Sequence, residues 1–261
     1  MKKRIDVLIA EKGLAQSREK AKTLIIAGQV KANGKAVKSP SEQFEEDAAV
    51  EVEGHACPYV SRGGLKLEKA IKEFNLNLEN RICMDIGAST GGFTDCMLQN
   101  GAQFVYAVDV GYGQFDWRLR NDGRVKLMER TNARYLEMQD RPVDFVSVDV
   151  SFISLKLIFP AVARVIGKNA RIVTLIKPQF EAGREHVGKK GVVRDAMVHR
   201  EVILRTIENA LSSGFFLDGL TYSPVKGPNG NIEYLALFST EPIEYSPSVE
   251  QVVADAHSEL N

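Results

Sequence analysis

No apolar run in this 261-residue chain is long enough to span a bilayer, and neither an internal repeat nor a low-complexity stretch is present. Cysteine is scarce: Cys57, Cys83 and Cys96 are the three, and none falls in a CxxC pair. That argues against a disulfide framework or a zinc site and fits a reducing cytoplasm; no metal ligand set is expected. Net charge is absent too, with 34 Lys and Arg against 34 Asp and Glu. The first residues are charged, but Asp6 and Glu11 interrupt any signal-peptide core. What is present is a hydrophobic content of 44%, enough for one large domain or a large and a small one.

The zero net charge conceals an asymmetry. Residues 1–40 hold ten Lys/Arg against three Asp/Glu, whereas residues 241–261 hold five acids and no Lys or Arg. A basic segment on a neutral chain points to a polyanion-binding module joined to something else. Residues 4–11 read as a short helix with Ile5, Leu8 and Ile9 on one face. Ser17 caps a second helix over 18–27, which Gly28 ends. Asn33-Gly34, flanked by 30–32 and 35–37, is a hairpin signal, and 48–52 reads as a further strand. The expected organisation is a basic unit over 1–55, a linker over 56–61, a main domain over 62–240 and an acidic tail over 241–261.

From residue 60 strands and helices alternate. Strands are expected at 81–86, 104–108, 125–128, 145–148 and 171–176, with helices at 64–74, 155–165 and 199–212 among the intervening segments. Two final strands, 216–222 and 232–238, read as an antiparallel hairpin. This is an α/β pattern: a mostly parallel, doubly wound sheet closed by an antiparallel pair, which fits a methyltransferase-type sheet better than a dehydrogenase.

The densest signal is Asp85-Ile86-Gly87-Ala88-Ser89-Thr90-Gly91-Gly92-Phe93-Thr94, a strand running through a glycine-rich turn into a helix. Glycines let backbone approach a ligand, and the helix start offers unpaired N–H groups. Asp109, which ends the next strand, is placed to accept ribose hydroxyls. Asp109 alone does not separate NAD from S-adenosylmethionine (SAM). The turn does, because it departs from G-x-G-x-x-G, and the carboxylate of Asp85 would repel a pyrophosphate while suiting the cationic amino-acid end of SAM.

Asp149 and Lys177 each follow an apolar strand directly and so belong at a pocket edge. Glu233 opens the last strand, and Lys66 lies on the helix leading into the sheet. A desolvated lysine can act as a general base, and acids beside it can orient the amine. A ribose 2′-hydroxyl needs such a base, so O-methylation fits. Amine methylation fits less well, since Asp149-Val150-Ser151-Phe152 lacks an Asn/Asp-Pro-Pro-aromatic sequence. Carbon methylation needs a cysteine nucleophile, and Cys83 and Cys96 read as small core residues.

Lys66, Asp149, Lys177 and Glu233, with the Asp85 turn, resemble the Lys-Asp-Lys-Glu tetrad of FtsJ-like ribose 2′-O-methyltransferases. Residues 59–67, 85–95, 149–154, 177–181 and 230–234 resemble the TlyA family, often labelled hemolysin A, and residues 4–37 are similar to the S4 RNA-binding domain. The resemblance implies a SAM-dependent, Rossmann-like methyltransferase acting on cytidine ribose of 16S or 23S ribosomal RNA. In it Lys177 is the base, and Asp149, Lys66 and Glu233 orient amine and substrate. Gly87, Ser89, Thr90, Gly91, Gly92, Phe93 and Thr94, with Asp85, Asp109 and Asp149, would hold the cofactor. Gly113-Gln114 and the 129–132 segment, Asn132 included, would lie toward its adenosine end. The basic residues Arg4, Arg18, Lys20, Lys22, Lys31 and Lys35, with Arg62 near the linker, would contact RNA phosphates of ribosomal subunits. The 183–194 loop either grips the substrate or is only a flexible loop. Two other readings are an RNA-binding protein that has lost methylation, against which the intact tetrad stands, and a membrane-active hemolysin, against which the lack of a secretion signal or amphipathic membrane helix stands.

Overall fold

The structure, a computed structural model, describes residues 2–15, 17–26, 28–52, 57–243 and 247–260. Ala27, expected to end the second helix, and residues 53–56 of the expected connection lie outside the described residues. The chain divides into two compact units, 1–58 and 59–261.

The first unit runs β1 (Lys2–Arg4), α1 (Ile5–Glu11), α2 (Arg18–Ile26), β2 (Val30–Ala32), β3 (Lys35–Ala36), β4 (Gln43–Glu45) and β5 (Val50–Val52). Ser17 Oγ accepts the Lys20 N–H at 3.2 Å, the cap its position foretold. Asn33 and Gly34 both take positive φ, +51° and +74°, as a two-residue hairpin between β2 and β3 requires. Ile5, Leu8 and Ile9 of α1 pack with Ala21 and Ile25 of α2 and with Val30 and Ala32 of β2. The pairing of β1 with β4 was not visible in sequence, because Lys2-Lys3-Arg4 carries no apolar alternation.

Beneath this core rim, Asp6 is fully buried. Its carboxylate accepts Arg4 Nε and Nη2 at 3.1 Å and Arg18 Nε at 2.9 Å. Burial opposes its ionisation, but the two guanidiniums prevail and hold the carboxyl down at about 2.

The second unit runs α3 (Gly63–Glu73), β6 (Ile82–Ile86), α4 (Gly92–Gln99), β7 (Phe104–Val108), α5 (Trp117–Arg120), β8 (Val125–Met128), β9 (Val143–Val148), α6 (Phe159–Val165), β10 (Ile166–Ile176), α7 (Pro178–Glu181), α8 (Ala196–Leu211), β11 (Phe216–Tyr222), β12 (Tyr234–Ser239) and α9 (Val249–Leu260). The described strands form one seven-stranded sheet in the order β11-β12-β10-β9-β6-β7-β8. The neighbours from β10 to β8 are parallel, and β12 is antiparallel to both β10 and β11.

Strand periodicity of two sorts the side chains. Met84, Ile86, Val146 and Val148 join Phe159 and Val162 of α6, Val198 and Val202 of α8, and Val253 of α9 in one core. Asp85 and Ser147, one position over, face the other side, where α4 lies. The acidic C-terminal segment carries α9, whose Val249, Val253 and Ala256 are buried against the unit. Among the described residues no helix is long and apolar enough to cross a membrane.

Arg4 and Arg18 are 41% and 51% exposed and remain solvated if Asp6 loses its charge. Asp6→Asn is therefore expected to cost only ~1 kcal/mol near neutral pH. The folded carboxyl titrates below its unfolded value, so its contribution is full above about pH 4 and is lost as the pH falls through about 2. Urea unfolding of wild type and variant at about pH 7 and about pH 3 checks this: the difference between them shrinks at the lower pH.

Candidate active site

The strand ends define the site. Gly87 follows β6, Asp149 follows β9 and Lys177 follows β10, all at the carboxyl edge of the parallel strands. Because β12 runs the other way, with Tyr234 opposite Ile176, the residue before it, Glu233, falls at that same edge. A cavity of about 560 Å³ opens there, walled by Lys66, Asp149, Lys177 and Glu233 and by the glycine turn. Its size lies within the range of about 300–1,000 Å³ usual for small-molecule sites.

Two lysine–carboxylate pairs stand on its walls. Lys177 Nζ is 2.5 Å from Asp149 Oδ1 and donates to Ser151 Oγ at 2.9 Å. Lys66 Nζ, from α3, donates to Glu233 Oε2 at 2.6 Å, and Gln179 Nε2 donates to Glu233 Oε1 at 3.3 Å. Glu233 is fully buried, and Lys177 is 8% exposed. Charges so withdrawn from water persist only when paired, and pairing fixes where each head group points.

Glu233 is held from behind as well. Gly227 lies so close to its carboxylate that a Cβ would overlap Oε1. Buried Asn231 accepts the Val193 N–H on Oδ1 at 3.2 Å and donates from Nδ2 to Gly191 O at 2.9 Å and Pro228 O at 3.0 Å. His199 of α8 donates from Nε2 to Val193 O at 3.0 Å, so its Nδ1 accepts the Tyr234 hydroxyl at 2.8 Å. Burial pushes the His199 imidazole down to about 4, which keeps it neutral.

The glycine turn forms another wall. Gly87 and Ser89 take positive φ, +87° and +50°, and a Cβ on Gly87 would overlap the Asp149 carbonyl oxygen. Gly87, Ser89, Thr90, Gly92, Phe93 and Arg62 all line the cavity.

The remaining sequence-derived cofactor residues are elsewhere. Asp85 lies within β6, not at its end, and is fully buried. Its carboxylate accepts the Thr94 N–H at 2.9 Å, the Thr94 hydroxyl at 2.7 Å and the Ser147 hydroxyl at 3.0 Å. The expectation that this acid faces a ligand's charge is therefore corrected: Asp85 and Thr94 fasten the start of α4 to β6 and β9. Burial raises the Asp85 carboxyl to about 6 against the hydrogen bonds from Thr94 and Ser147. Gly91, at φ +95°, turns toward the side chains of Leu119 and Phe115. Asp109 accepts the Ser89 N–H at 2.7 Å and the Gly111 N–H at 2.6 Å, bracing the turn from the next strand. Asn132 caps the short 3-10 turn at Ala133–Tyr135.

The chain is similar to known proteins. The FtsJ-like methyltransferase model matches residues 59–240, and the S4 domain model matches residues 3–50. YqxC of Bacillus subtilis, labelled an rRNA methyltransferase, is 52% identical over 90% of this chain and 84% of its own length. The 16S/23S rRNA (cytidine-2′-O)-methyltransferase TlyA of Mycobacterium tuberculosis is 43% identical over 91% of this chain and 90% of its own. A solved structure from Streptococcus thermophilus that carries a hemolysin label superposes with a TM-score of 0.80 at 47% identity, covering 99% of this chain and 96% of the other. The chain belongs to the TlyA (hemolysin A) family of FtsJ-like methyltransferases.

Sequence reasoning missed several residues that this family member places at the site. Ser151 holds Lys177, and Gln179 holds Glu233. Phe152 is 91% exposed at φ +63°, and its ring leans on Phe180, a cavity-lining residue, with centroids 4.8 Å apart. Their adjacency to Asp149 and Lys177 was the available signal. In the first unit, Arg4 and Arg18 are engaged with Asp6, and Lys22 pairs with Glu19 at 2.6 Å, whereas Lys35 is exposed.

Gly87→Ala forces a side chain into a left-handed position and against the Asp149 backbone. The variant is expected to fold, with affinity for SAM or its demethylated product reduced about tenfold or more, by calorimetric titration.

Proposed function

We propose that the protein is a SAM-dependent 2′-O-methyltransferase acting on cytidine ribose of ribosomal RNA in the cytoplasm. The observation that carries this reading is the pair of lysine–carboxylate contacts, Lys177–Asp149 and Lys66–Glu233, facing one cavity beside the glycine turn.

The walls fit the cofactor in size and in donor chemistry. Gln179 lines the cavity, and its buried Oε1 has no hydrogen-bond donor among the described residues, an acceptor left for a ligand to satisfy. When bound, SAM supplies an electrophilic methyl group on a sulfonium centre. Lys177 Nζ, once its own ammonium proton has passed to solvent, would be held by Asp149 and Ser151 to take the proton of the ribose 2′-hydroxyl. Glu233, fixed by Lys66 and Gln179, holds the ribose in line, where positioning supplies much of the rate. Phe152 offers a bare aromatic face to the base of the substrate nucleotide, since a methyltransferase acting on a folded RNA draws its target out of the stack. Arg62, exposed on the cavity wall, meets a flanking phosphate.

In this reading the first unit supplies RNA affinity through exposed and half-exposed cations such as Lys20, Lys31 and Lys35. Such contacts make binding salt-dependent and only weakly sequence-specific.

Lys177→Ala is expected to abolish tritiated methyl transfer from SAM to ribosomal subunits while SAM binding survives. Near-normal transfer would refute the base assignment. Phe152→Ala is expected to lower kcat/KM for RNA about tenfold with SAM affinity unchanged. Deleting residues 1–55 should weaken RNA binding and leave SAM binding intact, by filter binding and calorimetry.

A further inference from the structure

The loop after β9 and the short helix after β10 are joined rung by rung. Asp149 and Ser151 meet Lys177, and Phe152 leans on Phe180. One step further, Glu181 takes both remaining contacts: Ser154 Oγ donates to Oε2 at 2.7 Å, and the Leu155 N–H donates to Oε1 at 2.8 Å.

The middle rung is the strained one. A bulky residue at φ +63° is a genuine outlier, and such a conformation persists only where its surroundings over-determine it. The chain before Phe152 is tied at Ser151 by Lys177. The chain after it is tied at Ser154 and Leu155 by Glu181. With one tie cut, the corner is free to relax to a negative φ and fold the ring away from solvent, a burial the hydrophobic effect favours for a ring that is 91% exposed.

Glu181 does not line the cavity. Its carboxyl is nonetheless largely buried, and burial raises its pKa, opposed by the hydrogen bonds from Leu155 and Ser154. Both of its oxygens are committed to the Phe152 loop.

We infer that Glu181 is a positioning residue for methyl transfer, acting through Phe152: it locks the left-handed corner that keeps this ring beside the cavity. The inference rests on the reading of the site as an RNA 2′-O-methyltransferase in which Phe152 stacks on the substrate base.

The test is a double-mutant cycle in the full-length protein, with tritiated methyl transfer to ribosomal subunits and calorimetric SAM binding as readouts. Glu181→Gln is expected to lower kcat/KM for RNA about tenfold with SAM affinity within about twofold of wild type, and to cost less than about twofold more in a Phe152→Ala background. Ser154→Ala, which removes one of the two bonds and keeps the acid, should give an intermediate loss that also vanishes in that background.

A full loss from Glu181→Gln in the Phe152→Ala background would overturn the assignment, because a general structural role adds where a shared one does not. Wild-type activity in Glu181→Gln or in Phe152→Ala would overturn it too, as would weakened SAM binding in both Glu181→Gln and Ser154→Ala. Wild-type protein that methylates no subunit would refute the methyltransferase reading itself, a result distinct from active protein with additive losses.

Discussion

Antiparallel pairing of β12 on β10, with Tyr234 opposite Ile176, brings the residue before one strand and the residue after the other to the same edge of the sheet. The geometry of the cavity depends on that direction. Were β12 parallel to β10, Glu233 would sit a strand length away, roughly 20 Å for six residues at about 3.3 Å each. Lys66 would then lose its carboxylate, and Gln179, two residues beyond Lys177, would lose its partner. The antiparallel strand is thus what lets one cavity hold two ion pairs, one supplied by the parallel strands β9 and β10 and the other by α3 and the reversed strand.

The buried carboxylates of the second unit divide between two kinds of work. Asp85 and Glu233 are both fully buried, yet only Glu233 reaches the cavity wall. Asp85 is satisfied by neutral donors, the hydroxyls of Thr94 and Ser147 and one backbone N–H. Glu233 is satisfied by a lysine and an amide. The first arrangement fastens a helix to two strands. The second leaves a charged head group beside a space that a substrate can enter, and removing either partner of that pair would strand a buried charge, at a cost of about 3–5 kcal/mol.

Much of this was legible in sequence where apolar runs end abruptly. Phe104–Val108, Val125–Met128 and Phe216–Tyr222 coincide with the strands expected there, because turn residues bound each run. The start of β10 was hidden: α6 passes into it without a loop, and after Ile166 the pairing with β9 is interrupted until Arg171, with Asn169 at φ +57° in the gap. That Lys66, Asp149, Lys177 and Glu233 line one cavity could be anticipated because strand ends locate them, or because a helix leads straight to one. The strand holding Asp85 was expected, but the face its carboxylate takes was not: it turns to Thr94 and Ser147 beside α4. Ser151, Gln179 and Phe152 take their positions from contacts between segments distant in sequence, which no local pattern encodes. The helix in the acidic tail was visible in principle, as Val249, Val253 and Ala256 recur at helical spacing.

The Asn231 side chain has a bearing on motion. The 183–194 loop could have been a flap hinged at both ends, free to open on its own timescale. Its downstream end is instead stitched to the turn before Glu233 through Gly191 and Val193, and to α8 through His199. Any swing of this loop must therefore pivot from its upstream half, near Gly183 at φ +86°, while the Val193 amide is open to exchange with solvent only when its bond to the Asn231 side chain breaks.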